Sequence, residues 1–186
     1  MTIKENSPKI NPFRTNRLIV RPLSIDDASR IQHIVTKDVC EFVPEIPQPF
    51  SSVDWINQKH ESGSHYMCHV VILAETNDII GYFQMINGSF NIKNDDYAID
   101  IGYWFGKEFW NKGYCSEVLE KIIECIVEPN NWSQEIVALV YDGNNSSERV
   151  LLKNGFRNSN LRSKTEHGEA KLFVYESTYY KKHKKI

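Results

Sequence analysis

The sequence has little of what marks most specialised classes of protein. Its 186 residues include four cysteines, Cys40, Cys68, Cys115 and Cys125, none of them in a Cys-x-x-Cys pair. Their scatter fits neither zinc-ligand spacing nor a disulfide framework, so Cys40, Cys68 and Cys125 read as small hydrophobes. No apolar run approaches the ~20 residues that cross a bilayer. The start, Met1-Thr-Ile-Lys-Glu-Asn, has no apolar signal-peptide core, so a cytoplasmic location is expected. An excess of one charge is missing as well. Twenty-two Lys and Arg against 24 Asp and Glu leave a net charge of −2, which argues against general affinity for nucleic acid or an anionic membrane. Neither Gly-x-Gly-x-x-Gly nor Gly-Lys-Ser/Thr occurs, which disfavours a nucleotide-binding domain. His65, His69 and His167 lack ligand spacing, and no metal is expected. Internal repeats, low-complexity blocks and linkers are absent.

What is present suits one compact domain: 41% hydrophobic and 25% charged residues, enough for a core without metal or disulfide support. Residues 1–9 are polar and read as a flexible N-terminus, 10–180 as a single domain and 181–186 as a basic, solvated tail. Arg17-Leu-Ile-Val-Arg21 alternates as a strand. Ser24 with Asp26 and Asp27 starts a helix whose buried stripe is Ile31, Ile34 and Val35. Three prolines between Val43 and Phe50 exclude a regular helix, and Ser51, Ser52 and Asp54 open a second one carrying Trp55 and Ile56. His69–Glu75 and Ile79–Ile86 form a hairpin around Thr76-Asn77-Asp78. Tyr97–Phe105 is the next strand, with Ile99, Ile101 and Tyr103 on one face and Asp100 and Gly102 on the other. A helix from about Ser116 to Val127 presents Val118, Leu119, Ile122, Ile123 and Ile126. Glu135–Tyr141 is a strand, Asn145–Asn154 a helix capped by Gly155, and two closing strands lie around Phe156–Arg162 and Ala170–Glu176. This order is α+β rather than a regular βαβ alternation.

Two constellations could carry chemistry. The first, Tyr103-Trp-Phe-Gly106-Lys-Glu-Phe-Trp110-Asn-Lys-Gly113-Tyr-Cys-Ser-Glu117, joins a strand to a helix through a glycine-marked loop. Unpaired amides at such a helix start, with the dipole behind them, suit a pyrophosphate, and Gly113 removes a Cβ from its path. The second is Asn144-Asn-Ser-Ser147, entering a helix that ends at Gly155-Phe156; either residue can equally serve as a cap. If sequential strands pair, both junctions open at one edge of the sheet and share a cleft.

These motifs, about thirty residues apart, resemble the GNAT superfamily of acetyl-coenzyme A-dependent N-acetyltransferases, in its ribosomal-protein N-terminal acetyltransferase (RimJ/RimL-like) branch. Arg17-Leu-Ile-Val-Arg21-Pro22-Leu23 with Asp26-Asp27-Ala28 resembles the branch's opening strand and helix. Ile99-Asp-Ile-Gly102-Tyr-Trp104 resembles its fourth strand, Trp110-Asn-Lys-Gly113-Tyr-Cys-Ser-Glu117 its phosphate loop, and Asn144-x-x-Ser147 with Gly155-Phe156 its last helix. The likeness covers roughly residues 12 to 177. It implies a mixed, mostly antiparallel sheet of about seven strands, splayed between the fourth and fifth and flanked by about four helices.

The resemblance also implies roles. Backbone amides of Trp110, Asn111, Lys112, Gly113, Tyr114, Cys115 and Ser116 would grip the pyrophosphate of acetyl-CoA, taken as co-substrate. The main chain of Tyr103, Trp104 and Phe105 would run beside its pantetheine arm, an amide near Phe105 would polarise the thioester carbonyl, and Asn144 would hydrogen-bond the arm. Asp100 is the candidate base, working through water, or else a structural or substrate-binding carboxylate. Ser147 is the candidate donor to the thiolate, or else a cap. Three positions depart from the superfamily pattern. Trp110 replaces Gln or Arg, Cys115 replaces a Gly or Ala and is either packed or made reactive by the helix start, and Leu151 stands where many members carry a tyrosine acid. Between Cys40 and His65, Glu41, Glu45, Asp54 and Trp55 either line an acceptor site for a cationic amine or form a solvated face with Trp55 in the core. The expected partner is an amine, either a small molecule or a protein N-terminus, with a homodimer left open. The competing reading is an acyl-CoA-binding module without chemistry.

Overall fold

Alternating apolar residues build one twisted sheet, and the helices cover both of its faces. The computed structural model describes residues 10–63, 66–93, 96–127 and 135–183. The expected flexible N-terminus at 1–9, His65 and the last residues of the basic tail lie outside these, as does the side chain of Cys125. The described residues form strands β1 (Phe13–Arg14), β2 (Leu18–Pro22), β3 (Tyr66–Leu73), β4 (Asp78–Lys93), β5 (Asp96–Phe105), β6 (Ile136–Tyr141), β7 (Arg157–Thr165) and β8 (Gly168–Tyr175). Helices are α1 (Ala28–Ile34), α2 (Lys37–Phe42), α3 (Ser52–Glu61), α4 (Tyr114–Ile122), α5 (Asn145–Lys153) and α6 (Thr178–His183), the last of which takes in the start of the basic segment.

The eight strands are ordered β1-β2-β3-β4-β5-β6-β8-β7. Every pairing is antiparallel except β5 with β6, which is parallel and brief: Ile99 faces Ile136, Asp100 faces Val137, and there the ladder ends. This is the expected splay, one strand later in the count because the short β1 precedes the strand read as first. The sheet therefore has eight strands rather than about seven, and α2 and α6 raise the helices above the expected four.

The two faces of β5 bury different sets. Ile99, Ile101 and Phe105 pack with Phe83, Met85 and the α4 residues Val118, Leu119 and Ile122. Trp104 packs with Tyr82, Val70, Trp55 and the α1 residues Ile31 and Ile34. The α4 stripe buries Val118, Leu119, Ile122 and Ile123 as expected, and the side chain of Ile126 lies outside the described residues. The chain then widens into a π-helical turn, Ile123–Val127, instead of continuing as α-helix. One extra residue in that turn brings Val127, fully buried, back onto the core side.

Local signals set the entries. Ser24 and Asp27 form a reciprocal capping box, and Asp27 also takes a bidentate pair of bonds from Arg21 at 2.7 and 2.8 Å. Ser51 caps α3 by accepting from the Asp54 amide. Asn77 adopts a left-handed φ of 60° in the β3–β4 turn, and Gly155 closes α5 at φ 83°.

Candidate active site

The phosphate-loop candidate begins where β5 ends. Residues 107–109 form a short 3-10 turn, Asn111 and Gly113 take left-handed φ values of 59° and 79°, and Gly113 is the N-cap of α4. This backbone turns the first amides of α4, those of Tyr114, Cys115 and Ser116, outward with no helical acceptor before them. The loop is held from below. Arg17 forms a 2.7 Å ion pair with Glu117, donates to the Lys112 carbonyl at 3.1 Å, and lies 4.5 Å over the Tyr114 ring. Thr15 and the Arg17 amide also donate to Glu117. Burial acts to raise the Glu117 pKa, but the bonds from Thr15 and Arg17 together outweigh it and hold the carboxyl below its ordinary value. The Trp110 indole donates to the Phe105 carbonyl at 2.7 Å, tying the loop to the end of the strand. The Lys112 ammonium lies over the Phe109 ring at 5.6 Å on the exposed side. A left-handed glycine at a helix start beside exposed amides fits a pyrophosphate.

The splay opens a second surface. The Ile99 amide still donates to the Glu135 carbonyl at 2.9 Å. By the two-residue period of a strand, the amides of Ile101, Tyr103 and Phe105 point to the same edge, past the point where β6 diverges. On the far side of the gap stands α5. Asn144 caps it by accepting from the Ser147 amide at 3.1 Å, which leaves the Asn144 amide group free to donate elsewhere. The Ser147 hydroxyl is not a cap; it lies 2.9 Å from the Tyr103 hydroxyl. Burial first, then the neighbouring Cys115, push the Tyr103 phenol well above its ordinary value, so it keeps its proton. Ser116 turns its side chain away from the loop and accepts from Asn154 at 3.0 Å, joining α4 to α5. Cys115 is packed beside Tyr103, and burial pushes its thiol up, against the pull of the helix N-terminus. Leu151 is fully buried in the core.

Through the gap lies a cleft of about 290 Å³ on the other face of the sheet. Asp100, Gly102, Tyr103 and Trp104 line it from β5, Gln84 and Tyr82 from β4, Trp55 and Lys59 from α3, Glu45 from the loop after α2, and Tyr141, Asn144 and Ser147 from the second junction. The sheet's register explains the strand set: Asp100 lies opposite Ile86, Gly102 opposite Gln84 and Trp104 opposite Tyr82. Asp100 is half-buried, and its pKa is pushed up to about 7, chiefly by burial and then by the Glu45 charge. Tyr141 donates to Glu45 at 2.7 Å. Of the acidic residues read as a possible acceptor site, Glu45 reaches the cleft, whereas Glu41 and Asp54 are solvent-exposed and outside its lining. Trp55 does both things expected of it: it is 4% exposed and forms a wall.

Lys59, Gln84, Tyr82 and Tyr141 were not among the residues read from sequence. Gln84 and Tyr82 could have been found there, because they share the strand parity that faces Asp100 and Trp104 across β4 and β5. Among the described residues, no group of His, Cys, Asp and Glu could hold a metal, and no helix is long and apolar enough to cross a membrane.

Comparison with known proteins places the chain in a family. The acetyltransferase (GNAT) domain family matches residues 17–157. The uncharacterized N-acetyltransferase p20 of Bacillus licheniformis is 25% identical over 166 residues, covering 85% of this chain and 89% of p20. Two solved structures share the fold with a TM-score of 0.70 each. One is a GNAT-family acetyltransferase from Bacillus anthracis, at 19% identity over 89% of this chain and 98% of that one. The other is a ribosomal-protein alanine acetyltransferase from Vibrio fischeri, at 18% identity over 89% of this chain and 96% of that one.

Proposed function

The chain belongs to the GNAT acetyltransferase family and is an acetyl-CoA-dependent acetyltransferase; from that premise we propose that it acetylates the primary amine of a small molecule by direct attack, with both substrates bound in the splayed cleft. The observation that carries this reading is the position of Asp100. A half-buried carboxylate with a pKa near 7 faces the same cleft as Ser147, on the sheet face that Glu45 makes negative.

An amine arrives as an ammonium, with a pKa of about 10.4 for an alkylamine, and must lose a proton before it can attack. Asp100 and Glu45 attract the cation, and Asp100, ionised above pH 7, accepts its proton directly or through one water. The free nitrogen attacks the thioester carbonyl, whose oxygen the amide near Phe105 polarises. The C–N bond forms and the C–S bond breaks; the departing sulfur takes a proton from the Ser147 hydroxyl, which is hydrogen-bonded to the Tyr103 phenol, and the second proton shed by the acylated nitrogen returns through water to the serine. The loop from Trp110 to Ser116 holds the pyrophosphate through its amides, and Asn144 donates to the pantetheine arm. A cleft of about 290 Å³ lies at the small end of ligand pockets, which favours a small amine over a polypeptide terminus. Cys40, Cys68 and Cys115 are free thiols, in keeping with a reducing cytoplasm as the compartment.

Thiol release from acetyl-CoA, followed across a panel of amines and several pH values for the wild type, Asp100→Asn and Ser147→Ala, tests these roles. Both variants should lose turnover by about a hundredfold or more. Wild-type turnover and pH dependence in both would remove Asp100 and Ser147 from the chemistry. Acetyl-CoA binding without thiol release from any amine would make the chain a binding module instead.

A further inference from the structure

The cleft lining includes a cation, Lys59, that has no ion-pair partner among the described residues. Among the described residues, Lys59 forms no ion pair within 4.0 Å; its ammonium donates to Gln84 Oε1 at 3.2 Å and lies 5.5 Å from the Trp55 ring and 5.9 Å from the Tyr66 ring. Gln84 Oε1 also accepts from the Tyr82 hydroxyl at 3.0 Å, so a neutral amide oxygen is shared between two donors. An ammonium has three protons to donate and gains most from an anionic acceptor. Burial lowers the pKa of Lys59, and Cys68 and then Glu45 offset this only in part.

The fold places Gln84 for this purpose. It faces Gly102 across β4 and β5, and a Cβ on Gly102 would come within 3.0 Å of Gln84 Nε2, so the missing side chain is what lets Gln84 lean over the sheet toward Lys59. Asp100 lies one row further along β5 on the same face, and rows two residues apart are separated by roughly 7 Å. The cleft therefore has an acidic end, Asp100 with Glu45, and a cationic point beside the next row, with Trp55, Tyr82 and Trp104 also in its lining.

We infer that Lys59 is an anion subsite of the acceptor pocket and that the acceptor is an amino acid: a small primary amine that also carries a carboxylate. This rests on the acetyl-transfer reading above for the placement of the amine at Asp100. The amine would lie against the carboxylates and the substrate's own carboxylate against Lys59, leaving both charges of a zwitterion paired. A simple alkylamine would leave Lys59 without its partner.

Three matched pairs test it: 4-aminobutyrate with butylamine, 5-aminopentanoate with pentylamine, and L-phenylalanine with phenethylamine. Thiol release is measured for each in the wild type and in Lys59→Met. Calorimetry of the same six probes binding to coenzyme A-loaded protein gives a readout independent of turnover. The carboxylated member of at least one pair should be preferred tenfold or more in kcat/KM and in affinity. Lys59→Met should abolish that preference while retaining melting temperature and acetyl-CoA affinity. Equal use of both members by the wild type, or a preference that survives Lys59→Met, overturns the subsite and leaves the transferase reading intact. Carboxylate binding that depends on Lys59 but yields no thiol release keeps the subsite and overturns the acetyl-transfer roles. Absence of Lys59-dependent binding by all three carboxylates overturns the subsite outright.

Discussion

The hydroxyl of Tyr103 and the hydroxyl of Ser147 lie 2.9 Å apart across the splay, linking β5 to α5. Either oxygen can donate, and the Tyr103 hydroxyl also hydrogen-bonds the Cys115 thiol. In the proposed reaction the serine proton turns toward sulfur while the phenol donates a hydrogen bond to the serine oxygen and keeps its own proton, so Tyr103 acts as a positioning residue for the serine. Tyr103→Phe should lower kcat roughly tenfold, with the KM for acetyl-CoA little changed, because one hydrogen bond to the serine is lost. In a Ser147→Ala background the same change should cost almost nothing. Additive losses in the double-mutant cycle would separate the two residues.

With Asp100 as the proposed base, its ionisation should set the pH dependence. Its pKa near 7 means that the ionised base disappears below neutrality, so kcat/KM should fall about tenfold per pH unit there. Glu45→Gln removes the like charge that contributes to the shift and should move this acid limb to lower pH. Stability runs the other way. The folded chain favours the protonated carboxyl, so the stabilising contribution is complete below 3.8 and is lost as pH rises through about 7. Melting temperatures of Asp100→Asn should lack that decline between pH 4 and 7, and a parallel curve would refute the shift.

Local chemistry was readable wherever it repeats along the chain. The Ser24 box, the turn at Asn77, Gly113 before α4 and Gly155 after α5 each leave a signature within four residues. The α4 stripe was readable through Ile123, but the burial of Val127 was not, because a π turn changes the period without a glycine or proline to mark it. The short α2 was missed because six residues carry too little pattern. The site was legible as two junctions, and its contents were not. Lys59 sits one turn from Trp55 on a helix whose sequence marks only Trp55 and Ile56, and the packing of α3 on the sheet is what brings it to Gln84. Glu117 looked like part of the motif, yet its partners Thr15 and Arg17 lie a hundred residues away in β1 and β2 territory.

That long-range tie makes Arg17 the support of the phosphate loop. Arg17→Ala removes the pair to Glu117, the bond to the Lys112 carbonyl and the stacking on Tyr114. The ion pair is half-exposed on the arginine side, so the stability loss should stay near ~1 kcal/mol. The effect on binding should be larger, because the loop amides lose their fixed direction. The KM for acetyl-CoA should rise several-fold with kcat retained. Glu117 adds a pH signature: its depressed pKa stabilises the chain above 4.5 and that contribution is lost as pH falls below it. A KM for acetyl-CoA unchanged in Arg17→Ala would show that the loop holds its shape alone.

Cys115 sits where a helix start ordinarily makes a thiol reactive, and its environment decides otherwise. The dipole of a nine-residue helix favours the thiolate, but burial against Tyr103 disfavours it more, and the net shift is upward. Reactivity follows the thiolate fraction, which falls tenfold for each unit of pKa above the working pH. Native protein treated with a disulfide reagent at pH 8 should therefore leave Cys115 unmodified by mass spectrometry, with labelling appearing only once denaturant opens the α4–β5 contact. Rapid labelling of Cys115 in the folded chain would mean that the helix start governs this thiol and would reveal a nucleophile beside Tyr103.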